Sequence, residues 1–340
     1  MKILAVGDWY MPPHYFADAL ATLGGAHDIR YFEIDANRPF DPASPSERKL
    51  REYLGSPEQL IERIKGAEVL VVQGAPVTDE VLDASPELGL VCCARGGPVN
   101  VDIDAVTDRG LPLVTTPGKN AEAVADLTVA FLVMLARVIP KGQRFIDQGG
   151  QVGDNWQGAH FMGHDLRGRT LGIVGYGQIG LRVAKRVRGF GMQTVVYDPY
   201  VTVEDAEVRQ LDTLDELLRS ADFVSLHARA TAETESMIDA EALALMRPGA
   251  FLVNTARETL VDEEALDGAL AAGRLGGAAL DVFTDGEMLA RRENVVLTPH
   301  VGGATYETLA RGADMIAAEI RRFAAGEPLI NVFNRDALAV

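Results

Sequence analysis

Short apolar runs recur along the whole chain, each followed by a stretch of helical period. The runs are KILAV (2–6), EVLVV (68–72), LGLVCCA (88–94), TLGIVG (170–175), TVVYD (194–198), FVSLH (223–227), AFLVN (250–254) and NVVLT (294–298). Continuous rather than alternating apolar positions mark strands buried on both faces. Between them lie SPEQLIERIKG, TLDELLRSA and DEEALDGALAAG, which open on Ser, Thr or Asp as helix starts do. Strand–helix alternation predicts parallel sheets wound by crossover helices. Two segments break the rhythm. Residues 120–147 read as one long, mostly apolar helix with Asn120 at its start, buried because it is apolar on most faces. Residues 148–169 are Gly-rich and read as a loop, and a second long helix is expected over about 304–325. The resulting fold class is α/β: two doubly wound parallel-sheet units, Rossmann- or flavodoxin-like, joined by two long helices. The N- and C-terminal segments share one unit.

Composition narrows the picture. The chain has 340 residues, 47% hydrophobic but only 6% aromatic, with 34 glycines, which suits layered α/β packing and two domains. A net charge of −17 excludes a general nucleic-acid role, since phosphate neutralisation needs a basic face. The two cysteines, Cys92 and Cys93, are adjacent in an apolar run and read as strand filler in a reducing, cytoplasmic setting. No apolar run approaches the roughly 20 residues of a membrane span.

The most specific local signal is the strand LGIVG running into Gly175-Tyr176-Gly177-Gln178-Ile179-Gly180, which opens a helix. The first glycine permits the turn, the second lets backbone N–H groups approach a pyrophosphate, and the third lets helix pack on strand. The next strand ends in Asp198, eighteen residues on. A carboxylate there accepts hydrogen bonds from a ribose diol and repels a 2′-phosphate, which predicts NAD rather than NADP. Two further strand ends carry reactive groups: Arg257 after AFLVN, and His300 after NVVLT. A guanidinium at such a place can polarise a carbonyl, and an imidazole can carry a proton either way. His160 and His164 lie in a Gly-rich context without a metalloprotease glutamate, so no metal site is expected.

With these residues in place the chain resembles the D-isomer-specific 2-hydroxyacid dehydrogenase family, in its phosphoglycerate dehydrogenase-like branch. The similar stretches are VNVDIDAVTDRGLPLVTTPG, LGIVGYGQIG with YDPY, FVSLHARATAET, VNTARETLVDEEAL, LGGAALDVF and NVVLTPHVGGAT. The resemblance implies a substrate-binding domain from residues 1–117 and 306–340 and an NAD-binding domain from 118–305. It implies interconversion of a 2-keto acid and a D-2-hydroxy acid, with Arg257 polarising the carbonyl and His300 as acid/base. It places Gly175, Gly177, Gln178, Ile179, Gly180, Asp198, Ala228, Thr255, Ala256, Asp281, Gly302 and Gly303 at the cofactor, Asp281 at its carboxamide. Gly74, Gly96 and Gly97 fall at the substrate, the last two holding its carboxylate. A homodimer is implied, for which the apolar helix at 120–139 offers an interface.

The pattern also departs from the family. The glutamate that orients the histidine is expected at Gly286, so the role passes to Glu287, with Asp285 as the other neighbour. Arg95 replaces a small residue before the substrate-loop glycines, which suggests a second anionic group on the substrate. A non-catalytic NAD(H)-sensing regulator, like the corepressors on this fold, is the alternative.

Overall fold

The computed structural model describes residues 1–35, 42, 44–150 and 160–338, so the loop expected over 148–169 lies partly outside the described residues. The chain forms two compact units, Met1–Lys119 with Thr305–Val340, and Asn120–Ala304.

In the first unit β1 (Lys2–Gly7) leads through α1 (Pro13–Leu20) to β2 (Asp28–Glu33), followed by α2 (Pro57–Ile64), β3 (Val69–Val72), α3 (Asp79–Asp83), β4 (Leu90–Cys93), α4 (Ile103–Asp108) and β5 (Leu113–Val114). These strands make one five-stranded sheet in the order β2-β1-β3-β4-β5, every pair parallel. This is the flavodoxin-like order. Strand β4 is buried at every position, and period two sends its neighbouring cysteines to opposite faces. Cys92 packs with Phe16 and Ile316 on one side, Cys93 with Leu70 and Val106 on the other, and both are free thiols. Burial pushes the Cys93 thiol up to about 11.

The second unit opens with α5 (Ala121–Ala136) and α6 (Ile139–Asp147), then β6 (Thr170–Val174), α7 (Gln178–Val187), β7 (Gln193–Tyr197), β8 (Val208–Gln210), α8 (Leu214–Ser220), β9 (Phe223–Leu226), α9 (Ala240–Leu245), β10 (Phe251–Asn254), α10 (Glu263–Ala271), β11 (Gly277–Leu280), α11 (Gly286–Ala290) and β12 (Val295–Leu297). The seven strands run β12-β11-β10-β9-β6-β7-β8, all parallel. The chain winds outward from β6 through β7 and β8, then returns to start β9 on the other side of β6. The β6/β9 boundary is therefore the topological switch point, where ligands bind in open α/β sheets. The chain finishes in the first unit with α12 (Tyr306–Ala325) and α13 (Arg335–Leu338). Leu309, Ala313, Ile316, Ala317 and Ile320 form the buried stripe of α12 against the five-stranded sheet.

Local chemistry explains the helix starts. Asp102, Thr213, Asp239, Asp262, Asp285 and Thr305 each accept a first-turn backbone N–H, opening α4, α8, α9, α10, α11 and α12. The single long helix expected over 120–147 is corrected to two. Val138 takes a left-handed backbone (φ 55°) and Pro140 enters the first turn of α6, so α5 and α6 are bent by 70°. Of the apolar helix expected over 120–139 for a subunit interface, the structure forms α5, Ala121–Ala136. Among the described residues no single helix is long and apolar enough to cross a membrane, although the bent pair has the length and composition to do so together.

Candidate active site

The glycine turn sits at the switch point. Gly175 follows β6 with φ 92°, and a side chain there would stand 2.8 Å from the backbone of His227 and Ala228 at the end of β9. A Cβ at Gly180 would lie 2.3 Å from the carbonyl of Gly175, so helix and strand meet backbone to backbone. Around Gly177, by contrast, a Cβ would meet nothing within 4 Å. That space lies at the start of α7, whose first turn has no side-chain cap and no acidic residue. Unsatisfied N–H groups and the positive end of the helix thus face open space, the arrangement a pyrophosphate requires. The residues present fit a dinucleotide. Asp198, the acid expected at the ribose, accepts the N–H of Tyr176 at 2.8 Å and that of Tyr200 at 2.9 Å, which locks it beside the glycine turn. Gln178 and Ile179 begin α7, and Ala228 lies just beyond β9. His227 bonds Ser225 at 2.9 Å, and desolvation pushes it down to about 3, so it stays neutral at any physiological pH.

Arg257 stands exposed beyond the carboxyl end of β10. Asn254 shapes its turn, accepting from the N–H of Ala256 at 3.0 Å and donating to the carbonyl of Arg257 at 2.8 Å. The guanidinium donates to the Ala256 carbonyl at 2.6 Å and makes no ion pair among the described residues. Thr255 is buried against Thr128 of α5, hydroxyl to hydroxyl at 3.1 Å.

His300 lies three residues past β12, exposed, with a left-handed backbone (φ 54°). For a non-glycine residue that conformation costs about 1–2 kcal/mol, so the surroundings must hold it. Asp281 does so. Its carboxylate, 2% exposed, accepts the Thr298 hydroxyl at 2.5 Å and the N–H groups of Val301 and Gly302 at 2.8 Å each. Its own carbonyl accepts the His300 N–H at 3.0 Å. One buried side chain thus ties down the loop on both sides of the histidine. Gly302 is in turn required, because a Cβ there would lie 2.7 Å from Asp281 Oδ2. Gly303 packs against Asn120. Asp281→Asn is expected to lower stability by about 1–3 kcal/mol, because an amide donor would face one of those backbone donors. Urea unfolding of the two proteins measures it, and a loss below about 0.5 kcal/mol would contradict the account.

Glu287 is placed elsewhere. Its side chain is 86% exposed and bonds Arg291 at 2.8 Å, one turn along α11, while Asp285 caps the same helix through Met288 N–H at 2.9 Å. Among the described residues neither carboxylate bonds His300. The reason Gly286 has no side chain is also visible: a Cβ there would stand 2.6 Å from the Phe283 ring.

In the first unit Gly96 and Gly97 follow β4, both exposed, and their N–H groups meet no protein acceptor among the described residues. Gly74 follows β3, and a Cβ there would lie 2.8 Å from Asp8 Oδ2. Arg95 pairs with Glu52 at 3.0 Å. Among the described residues no three His, Cys, Asp or Glu side chains gather as metal ligands. Asn254 and the Asp281 loop bonds escape sequence reading, because their partners are backbone groups of neighbouring turns. The Asn directly ahead of Thr255-Ala256-Arg257 is the one local hint.

Comparison with known proteins agrees with this geometry. Residues 129–302 match the sequence model described as "D-isomer specific 2-hydroxyacid dehydrogenase, NAD binding domain". A glyoxylate reductase of Thermococcus litoralis is 39% identical over 290 residues, 82% of this chain and 87% of that protein. A D-3-phosphoglycerate dehydrogenase of Methanocaldococcus jannaschii is 38% identical over 285 residues, 82% of this chain, and the match spans only 53% of that longer protein. The crystal structure of the TT0316 protein from Thermus thermophilus superposes with a TM-score of 0.76 at 34% identity, covering 98% of this chain and 100% of that one. With a glycine turn shaped for a dinucleotide and relatives at this level of identity, the chain belongs to the D-isomer specific 2-hydroxyacid dehydrogenases, a family of NAD-dependent oxidoreductases, and residues 129–302 are its NAD-binding domain.

Proposed function

We propose that this protein interconverts a 2-keto acid and a D-2-hydroxy acid, with His300 as the acid/base and Arg257 as the group that polarises the carbonyl. NAD(H), bound along the glycine turn, supplies or accepts the hydride. His300 then delivers a proton to the keto oxygen in reduction and removes it in oxidation. Arg257 donates hydrogen bonds to that oxygen as negative charge grows on it, where preorganised donors act most strongly. The single observation that carries the reading is the His300 loop. An exposed imidazole is held in an unfavourable backbone conformation by a buried carboxylate, as expected where position matters more than local stability.

The other residues take supporting roles in this reading. The N–H groups of Gln178 and Ile179 bind the pyrophosphate, Asp198 takes the ribose diol, and Ala228, Thr255, Ala256, Gly302 and Gly303 line the cofactor. Asp281 acts chiefly as a positioning residue, since its oxygens already serve the histidine loop. Gly96 and Gly97 supply backbone donors for the substrate carboxylate, with Gly74 close by. Glu287 has no part, being engaged with Arg291.

The test is NADH oxidation followed by absorbance over a panel of 2-keto acids. Turnover with NADH, and much less with NADPH, is the expected result. Asp198→Ala should lower the NADH-over-NADPH preference in kcat/KM about tenfold or more, because it removes a negative charge beside the incoming 2′-phosphate. Binding of NADH without turnover on any acid would overturn the enzymatic reading and return the sensing alternative.

A further inference from the structure

The carboxyl edge of the five-stranded sheet carries polar groups that the mechanism above does not use. Asp8 follows β1, Gln73 follows β3, Ala94 and Arg95 follow β4, and Thr116 follows β5 by one residue more. The parallel register pairs Val6 with Val72, Val72 with Cys93, and Cys92 with Val114, so these residues leave neighbouring strands at one edge. Asp8 is fully buried. Its Oδ1 accepts the N–H groups of Tyr10 and Met11 at 2.9 Å each, which fixes the turn; its Oδ2 lies against the Gly74 backbone and makes no hydrogen bond of ordinary geometry among the described residues. Among the described residues Gln73, 7% exposed, leaves Oε1 without a hydrogen bond, and so does Thr116 its hydroxyl. Lys119, 9% exposed, donates from Nζ to the Ala94 carbonyl at 2.5 Å. Asp8, Arg95 and Lys119 lie close enough to feel one another's charge.

Buried acceptors without partners are costly unless something donates to them. The charge balance says what. The two cations, Arg95 and Lys119, are matched by two acids, Asp8 and Glu52, and Arg95 is already paired with Glu52. This leaves no surplus positive charge for a second anionic group, and the free carboxylate oxygen of Asp8 would repel one. Hydroxyl groups are neutral, and two of them can donate one hydrogen bond each, to Asp8 Oδ2 and to Gln73 Oε1.

We propose that this edge is a subsite for hydroxyl groups, with Asp8 Oδ2 and Gln73 Oε1 as acceptors and Lys119 as donor, and that the substrate is a polyhydroxylated 2-keto or 2-hydroxy acid of the sugar-acid class. The inference rests on the dehydrogenase reading for its chemistry, not for its binding. It replaces the second anion expected from Arg95 alone.

The test compares kcat/KM with NADH for 2-keto-D-gluconate, glyoxylate and phosphohydroxypyruvate. The expected order puts the hydroxylated acid first, by about tenfold or more. Asp8→Asn keeps the Oδ1 turn bonds but turns Oδ2 into a donor. It should lower the preference for 2-keto-D-gluconate over glyoxylate by about 10–100-fold, and Gln73→Leu should lower it in the same direction. An unchanged ratio in both variants, or a preference for the phosphorylated acid, overturns the subsite. Calorimetry of D-gluconate with the full chain keeps the two readings apart. If no acid turns over but gluconate binds and Asp8→Asn weakens it tenfold, the dehydrogenase reading fails and the subsite stands. If gluconate binding is absent or indifferent to Asp8→Asn, the subsite fails.

Discussion

His300→Ala is expected to lower kcat for 2-keto acid reduction by about 10²–10⁴-fold, the usual contribution of a positioned general acid. NADH affinity should change little, because the glycine turn and Asp198 lie at β6 and β7, while His300 follows the edge strand β12. The loss should fall on kcat rather than KM, since proton delivery matters in the transition state and not in binding. The loop should survive the change: its bonds run from Asp281 to Thr298, Val301 and Gly302 and to the His300 backbone, none of them to the imidazole. Glu287→Gln is the companion variant. With Glu287 on Arg291, its rate should stay within about twofold of wild type, inside the small range of exposed ion pairs. Steady-state kinetics and NADH titration on the three proteins decide the matter. A His300→Ala enzyme within tenfold of wild type, or a Glu287→Gln enzyme as damaged as it, would remove the proposed acid/base.

Arg257→Ala is expected to cost about 10²–10³-fold in kcat/KM, the scale of losing one preorganised donor to a developing oxyanion. The guanidinium is available for this role. It makes no ion pair among the described residues, and Asn254 holds its turn from both sides. Arg257→Lys should recover only part of the loss, because an ammonium is a point charge without the planar fork. A second readout separates catalysis from packing. Arg257 is exposed, so neither variant should shift the urea midpoint, whereas Asn254→Ala, which removes two turn bonds of a buried side chain, should shift it. If Arg257→Ala retains more than a tenth of wild-type kcat/KM, the carbonyl is polarised by another group.

Several features of this protein are written locally in the chain. The glycine turn depends on residues within six positions of one another: Gly175 and Gly180 answer close backbone approaches, while Gly177 leaves open space at the helix start. Strands buried on both faces, such as β3 and β4, read as continuous apolar runs because both sides of the sheet are covered. Strands lacking that signature go unread. Strand β2 is an edge with an exposed, polar sequence, DIRYFE, and β11 is the small-residue run GAAL, which the sheet rather than propensity makes a strand. The break at Val138 is hidden for a related reason: an apolar pattern can continue through a bend that one left-handed residue creates.

The functional groups divide along the same line. Asp198, Arg257 and His300 are proposed from the chain alone because each ends or closely follows an apolar run, and a strand end in a parallel sheet is where ligands bind. Which carboxylate serves the histidine is not legible. Asp281 and His300 are nineteen positions apart in sequence, and only the pairing of β11 with β12 brings the Asp281 side chain to the loop around His300. Glu287, far closer to the expected motif, is turned onto its own helix instead. The polar edge of the first sheet is the extreme case. Asp8, Gln73, Arg95, Thr116 and Lys119 come from four strand ends scattered over more than a hundred residues. No spacing rule connects them, and the register of parallel strands alone gathers them at one edge.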